Sequence, residues 1–282
     1  MIFDRNDRKQ VIALLGAGSM GTAIVRKIAA GRKILLGDIS EANLERVSHD
    51  FRYSGYDVET MIVNALEKES VDSFAEKAAS LGDVMYFIDT AGASPHQTNP
   101  AHILELDMVG TGYAVDAFGK FMAKGGAGLI ISSQTVYMYP IPYETEQELL
   151  NTPTEKLMEL PFIKEVAMQN SGLAYMIAKR VNHLQVMKAA ATTWKARRAR
   201  INTISPGVIV TPLAYDEFDA AGEGYQQMID ASAAERTGTS DEIAEAGAFL
   251  LGEHAGFITG TDLLIDGGVI AAIRTGAYKL HG

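Results

Sequence analysis

The sequence has no cysteine among its 282 residues, which excludes a disulfide framework, a thiolate nucleophile and a cysteine metal site; no metal is expected. No run of 18 apolar residues occurs, so no membrane-spanning helix is expected. Basic charge is the minority sign: 25 Lys and Arg face 35 Asp and Glu, a formal net charge of -10. Such a surface repels phosphate backbones and anionic lipid, so neither nucleic acid nor membrane is an expected partner. The one basic run, from Lys195 to Arg200, falls where a helix should end, and cations there complement the helix dipole. The first ten residues, MIFDRNDRKQ, lack the apolar centre of a signal peptide, and the cytoplasm is the expected compartment. Internal repeats and low-complexity linkers are missing as well.

What is there is an alternation of short apolar runs with longer amphipathic segments. Residues 11–15, 33–38, 58–63, 84–89, 128–132, 201–205 and 262–265 read as strands, and 20–30, 41–50, 68–81, 100–123, 171–199 and 241–251 as helices. Gly31, Gly82 and Gly125 sit where left-handed helix caps are expected. Strands that are apolar throughout, each followed by a helix, imply a parallel sheet covered on both faces. The expected architecture is one doubly wound, Rossmann-type α/β domain over 1–282 with about seven strands. Two stretches break the rhythm, 134–170 and 212–236, each far longer than the usual two to six residues. Excursions at the carboxyl ends of parallel strands are where such sheets bind ligands. The first is expected to be an inserted helical segment with short helices over 145–151 and 154–160. The second reads as a substrate lid, acidic through Asp216, Glu217, Asp219 and Glu223.

Gly16-Ala17-Gly18-Ser19-Met20-Gly21 is a GxGxxG between the first strand and the first helix. Glycines permit the tight turn and close backbone approach to a pyrophosphate, and the helix N-terminus supplies amide donors. Asp38, beside Ile39 at the end of the second strand, can accept hydrogen bonds from both adenosine ribose hydroxyls and repels a 2′-phosphate. Arg32 and Lys33 lie at the far end of that strand. NAD, rather than NADP, is the expected cofactor.

Tyr175-Met176-Ile177-Ala178-Lys179 is a YxxxK whose spacing puts phenol and ammonium on one helix face. It lies between a strand ending in Ser132-Ser133 and one ending in Ser205-Pro206-Gly207. Reducing a ketone needs a proton as well as a hydride, and a free phenol exchanges protons poorly at neutral pH. An ammonium about 4 Å away is worth roughly 4 kcal/mol at an effective dielectric of 20, up to about three pKa units on the phenol.

In this order of motifs the chain resembles the short-chain dehydrogenase/reductase family over residues 9–270. The similarity rests on the turn from Gly16 to Gly21, on Asp89-Thr90-Ala91-Gly92, on Ser133, and on Tyr175 with Lys179. Pro206-Gly207 with Thr211 and Asp266-Gly267-Gly268 extend it. The resemblance implies a dehydrogenase that interconverts a secondary alcohol and a ketone. Tyr175 would be the proton donor or acceptor, and Ser133 would hydrogen-bond the substrate oxygen. Lys179 would hold the nicotinamide ribose, and Pro206, Gly207, Ile209 and Thr211 the nicotinamide amide. Ala91 and Gly92 would line the cofactor, with Asn64 and Ala65 at the adenine. The family is commonly tetrameric through its long helices, which the insertion could obstruct, so a homotetramer or a homodimer is expected.

Three departures stand out. Leu15 replaces a threonine and the glycine turn is one residue shorter; Asp89-Thr90 replaces Asn-Asn; and Asp107 replaces an active-site asparagine. An aspartate there could still organise water toward Lys179, but it would also pair with Lys179 and partly cancel its effect on Tyr175. That change leaves open a second reading, a nucleotide-binding regulator with impaired catalysis. The insertion carries Met138, Tyr139, Tyr143, Leu149, Leu157, Phe162 and Met168, which suit either a bulky apolar substrate such as a hydroxysteroid or a small core of their own.

Overall fold

A computed structural model describes residues 9–279, with the side chains of 213–221 outside the description. Asp216, Glu217 and Asp219 of the expected lid lie in that stretch. The first half runs β1 (Gln10–Leu15), α1 (Ser19–Ile28), β2 (Lys33–Asp38), α2 (Glu41–Tyr53), β3 (Asp57–Ile62), α3 (Lys68–Leu81) and β4 (Asp83–Asp89). There follow α4 (Pro100–Ile103), a π-helical stretch Leu104–Gly110, α5 (Thr111–Gly119), β5 (Met122–Ile131) and a 3-10 turn Gln134–Tyr137. Segment 134–170 then contributes α6 (Tyr143–Asn151), a 3-10 segment Thr154–Glu159 and α7 (Pro161–Ala167) before α8 (Ser171–Ala191) and α9 (Thr193–Ala196). The chain closes with β6 (Arg200–Pro206), β7 (Ile209–Val210), α10 (Pro212–Ala231), β8 (Gly238–Thr239), α11 (Ser240–Leu251), β9 (Asp262–Ile265) and α12 (Val269–Thr275).

Seven strands form one parallel sheet in the order β3-β2-β1-β4-β5-β6-β9, the expected doubly wound arrangement. Side chains alternate across it. Val11, Ala13 and Leu15 of β1 join a core with α3 and α5, while Ile12 and Leu14 join a second core with α1, α2 and α11. Both faces are therefore apolar, and this is why the strands read as continuous hydrophobic runs. The small β7–β8 ribbon pairs Ile209 with Gly238; two-residue strands are too short to show a period.

Several boundaries differ from the sequence expectation. The helix expected over 100–123 stops at Gly119, and β5 has begun by Met122. The one expected over 171–199 ends at Ala191. Gly31 takes a left-handed φ of +75°, but Gly125, at +83°, lies inside β5 rather than after a helix. Gly82 is extended at φ 162°, so it is no left-handed cap; an added Cβ would lie 2.0 Å from the Lys9 carbonyl. A close approach, not a turn, requires glycine there.

Segment 134–170 contributes to a third core. Leu149, Leu157, Ile163 and Val166 bury against Ile103, Leu104 and Met108 and against Leu173 and Ile177 of α8. Gly112 lets Thr154 sit on α5, where a Cβ would approach its methyl to 2.5 Å. Arg180 clasps Glu146 of α6 at 2.6 Å. Most of that segment's apolar residues thus cover α4 and α8 rather than line a cleft.

Candidate active site

β1 and β4 are neighbours in the sheet, yet β1 leads to α1 on one face and β4 toward α5 on the other. The divergence opens a crevice at their carboxyl ends. Gly16, at φ +80°, turns there with its N–H donating to the Gly37 carbonyl at 2.8 Å. The Thr90 hydroxyl donates to the Gly16 carbonyl at 2.6 Å, and a Cβ at Gly16 would lie 2.5 Å from the Ala91 nitrogen.

Above this turn nothing lies within 4 Å of a Cβ added to Gly18. No side chain caps α1, whereas Ser40, Asn170 and Thr239 cap α2, α8 and α11. Uncapped first-turn amides beside open space are what a pyrophosphate needs; the residues present fit a dinucleotide.

Asp38 lies at the carboxyl end of β2, beside the glycine turn. Its Oδ2 accepts from the Ala17 N–H and from the Asn43 amide, each at 2.9 Å, and its Oδ1 accepts from the Ser40 N–H at 2.9 Å. The carboxylate therefore fastens the glycine turn to the start of α2, with Ile39 exposed beside it. Lys33 points away at the other end of β2, paired with Asp57 and Glu59. Asn64 closes its own turn, its amide donating to Glu67 and its oxygen accepting from the Leu66 N–H, and Ala65 is buried beside it.

Tyr175 and Lys179 share one face of α8, and the Lys179 ammonium lies 5.4 Å from the Tyr175 ring centroid. It pairs with Asp107 Oδ2 at 3.2 Å and donates to the Ile131 carbonyl at 3.4 Å. Burial opposes the lysine charge, but Asp107, Tyr175 and Asp89 around it outweigh that and raise its pKa. Burial pushes the Asp107 carboxyl above the usual carboxylate range, against the pull of Lys179. Asp107 sits on the π-helical stretch, a local widening common at functional sites. Its Oδ1 accepts from the Ala93 N–H at 2.8 Å. Gly92 leaves room for the pair: a Cβ there would lie 3.1 Å from Asp107 Oδ1 and 3.2 Å from Lys179 Nζ. Asp89 accepts from the Ala91 N–H at 3.0 Å, and burial pushes its carboxyl up to about 7.

Ser133, Tyr175, Lys179, Pro206, Gly207, Ile209, Thr211, Met20 and Gly92 all line one cleft of about 270 Å³. Asp107 stands behind Gly92 and does not reach its surface. Ser94, Gln134, Thr135, Tyr225 and Met228 also line the cleft, and sequence reasoning singled out none of them. Gln134 and Thr135 follow Ser133 directly, Ser94 follows Gly92 by two, and Tyr225 and Met228 are three apart on α10; adjacency and helical spacing were the available signals. The Ser94 hydroxyl, the Gln134 amide oxygen and the Thr135 hydroxyl are buried without a hydrogen-bond partner. Of the apolar residues in segment 134–170, Met138 lines the cleft, while Tyr139, Tyr143 and Met168 are exposed. Among the described residues no group of His, Asp and Glu could hold a metal ion, and no helix is long and apolar enough to cross a membrane.

A short-chain dehydrogenase/reductase of Alternaria brassicicola, bsc3, is 38% identical over 266 residues, 93% of this chain and 96% of its own length. The chain belongs to the short-chain dehydrogenase/reductase family. It is an oxidoreductase, and its family binds a nicotinamide cofactor. The family model described as enoyl-(acyl carrier protein) reductase matches residues 149–270. A galactitol 2-dehydrogenase (L-tagatose-forming) of Cereibacter sphaeroides is 27% identical, over 91% of this chain and 93% of its own. The crystal structure of gox2181 shares the fold, with a TM-score of 0.75 at 23% identity over 95% of this chain and 97% of its own.

Proposed function

We propose that this dehydrogenase interconverts a secondary alcohol and a ketone with NAD(H), Tyr175 transferring the proton. One observation carries the reading: Ser133, Tyr175 and Lys179 line a single cleft with Pro206-Gly207 and the start of α1.

When bound, the dinucleotide supplies the ring that accepts or gives the hydride. The first-turn amides of Gly18, Ser19, Met20 and Gly21 would hold its pyrophosphate and Asp38 its adenosine ribose, with Ile39, Asn64 and Ala65 flanking the adenine. Ala91, Gly92, Pro206, Gly207, Ile209 and Thr211 would enclose the nicotinamide half. Ser133 donates a hydrogen bond to the substrate oxygen and stabilises charge developing there. Tyr175 gives or takes the proton, and the Lys179 ammonium beside its ring favours the phenolate. Asp107 holds Lys179 charged and in place. The NAD preference rests on Asp38, whose carboxylate opposes a 2′-phosphate.

Met138, Pro95, Val208, Tyr225 and Met228 give the cleft an apolar wall, which supports a bulky, mostly apolar alcohol of the hydroxysteroid type. The partnerless Ser94, Gln134 and Thr135 groups, together with the galactitol-oxidising relative, favour a second reading, a polyhydroxylated substrate. Segment 134–170 acts as a helical insertion and 212–236 as the lid. The insertion buries the outer faces of α4 and α8, which favours a homodimer over a tetramer, in the cytoplasm. Screening reduction of NAD⁺ and NADP⁺ with sterols, cyclic alcohols and polyols tests the proposal; no turnover with any alcohol would sink it, and a preference for NADP⁺ would sink the cofactor assignment.

A further inference from the structure

Outside the cleft a buried polar cluster centres on Asp262, at the start of β9. The Tyr137 hydroxyl donates to its Oδ2 at 2.6 Å. The Thr203 and Ser205 hydroxyls donate to its Oδ1 at 2.6 Å and 2.9 Å. His183 Nε2 lies 3.2 Å from the same oxygen and 3.2 Å from the Ser205 hydroxyl. The Tyr137 ring meets the His183 ring edge-on, centroids 6.2 Å apart, and the Arg274 guanidinium of α12 lies 5.4 Å from the Tyr137 ring centroid. Thr203 and Ser205 are fully buried and His183 nearly so.

Three of these donors come from segments that carry the cleft. Tyr137 ends the 3-10 turn that Ser133 begins, where the Val136 N–H donates to the Ser133 carbonyl at 3.2 Å. His183 stands one helical turn beyond Lys179 and two beyond Tyr175 on α8. Ser205 immediately precedes Pro206-Gly207. A buried carboxylate needs donors, yet Thr203 and Ser205 on the adjacent strand already supply two. The Tyr137 hydroxyl adds a tie from the irregular chain after β5 to the sheet. Burial and Asp262 push its ionisation above the ordinary phenol range, so it stays a donor.

We infer that Tyr137, through Asp262 and His183, is a positioning residue that holds the Ser133 turn in register with the Tyr175–Lys179 face of α8. The inference rests on the dehydrogenase reading above, since Ser133 must meet a substrate oxygen for its position to matter. Hydrogen bonds to a charged acceptor are directional, and a turn anchored at its far end keeps the Ser133 hydroxyl from drifting. Small misplacements of a catalytic group carry large rate penalties.

Tyr137→Phe tests this, because it deletes one hydroxyl and keeps the ring packing. With the protein loaded with NADH, hydrogen-exchange mass spectrometry should show amides 134–138 exchanging about tenfold faster or more, with the melting temperature within about 4 °C of wild type. With the best alcohol from the screen, kcat should fall about tenfold while KM for NAD⁺ stays within about twofold. In a Ser133→Ala background the same change should cost less than about twofold, because the effect acts through Ser133. Unchanged exchange over 134–138, or an equal loss in both backgrounds while Ser133→Ala itself is impaired, would overturn the inference alone. Full activity of Ser133→Ala would overturn the catalytic reading and this inference together.

Discussion

The Lys179 ammonium and Asp107 Oδ2 lie 3.2 Å apart, both side chains buried behind Gly92. The charge that should labilise the Tyr175 proton is therefore shared with a carboxylate where the family carries a neutral asparagine. Asp107→Asn removes that anion. Lys179 loses its main stabilising partner, so its deprotonation moves to lower pH, while the unshared ammonium makes the phenolate easier to form. Both limbs of the pH–rate profile for alcohol oxidation should shift to lower pH, by about one unit. A profile unmoved on either side would mean that Asp107 has no electrical part in the site.

Tyr175→Phe should lower kcat by about 10²–10⁴-fold, the usual worth of a positioned proton donor. NADH should still bind, seen as retained fluorescence enhancement. Turnover equal to wild type would remove Tyr175 from the chemistry.

Asp38→Asn keeps an oxygen for the Ala17 N–H but drops the charge that opposes a 2′-phosphate. The ratio of kcat/KM for NAD⁺ over NADP⁺ should fall about tenfold, near 1.4 kcal/mol. A constant ratio would assign Asp38 to the turn alone.

Asp89 offers a stability test with a defined sign. Its carboxyl titrates at about 7 in the folded chain against an ordinary 3.8, so the folded state binds the proton more tightly. That group costs little at pH 4 and progressively destabilises the fold as pH rises toward 7, by about 4 kcal/mol at most. Asp89→Asn retains the oxygen that accepts from the Ala91 N–H and carries no charge. The variant should melt roughly 5–10 °C above wild type at pH 8, with the gain shrinking toward pH 5. Equal melting temperatures at pH 8 would refute the assignment.

Core and cleft residues of segment 134–170 should separate by substitution. Leu157→Ala should destabilise the protein by about 2–5 kcal/mol, as for other buried leucines, and leave the KM for the alcohol unchanged. Met138→Ala should do the reverse, raising that KM with little effect on chemical denaturation. Matching behaviour of the two variants would deny that the third core and the cleft are distinct.

Much of the fold was legible because parallel strands buried on two faces leave an unmistakable mark. Continuous apolar runs such as those of β1 and β2, each short and followed by a helical pattern, read as strands buried on both faces, and Ser40 marked the start of α2, where its hydroxyl accepts from the Asn43 N–H. The helix of 100–123 began at Pro100 as expected and was overrun only at its carboxyl end, because Phe121 and Met122 suit strand or helix alike; the π-helical turn within it keeps helical composition and left no mark in the pattern.

By itself the sequence determined the strands' apolar character, the glycine turn with Asp38 at the end of the second strand, and the one-turn spacing of Tyr175 and Lys179, because these are patterns of residues close along the chain. Only the tertiary structure decided that Asp107, expected from the resemblance to pair with Lys179, does so buried behind Gly92, that most of segment 134–170 is a core over α8, and that Asp262 gathers Tyr137, His183 and Ser205. The polar contacts join residues 57 to 125 positions apart, and hydrogen-bond direction and close packing over such separations are set by how the sheet stacks its crossovers, which no local pattern encodes.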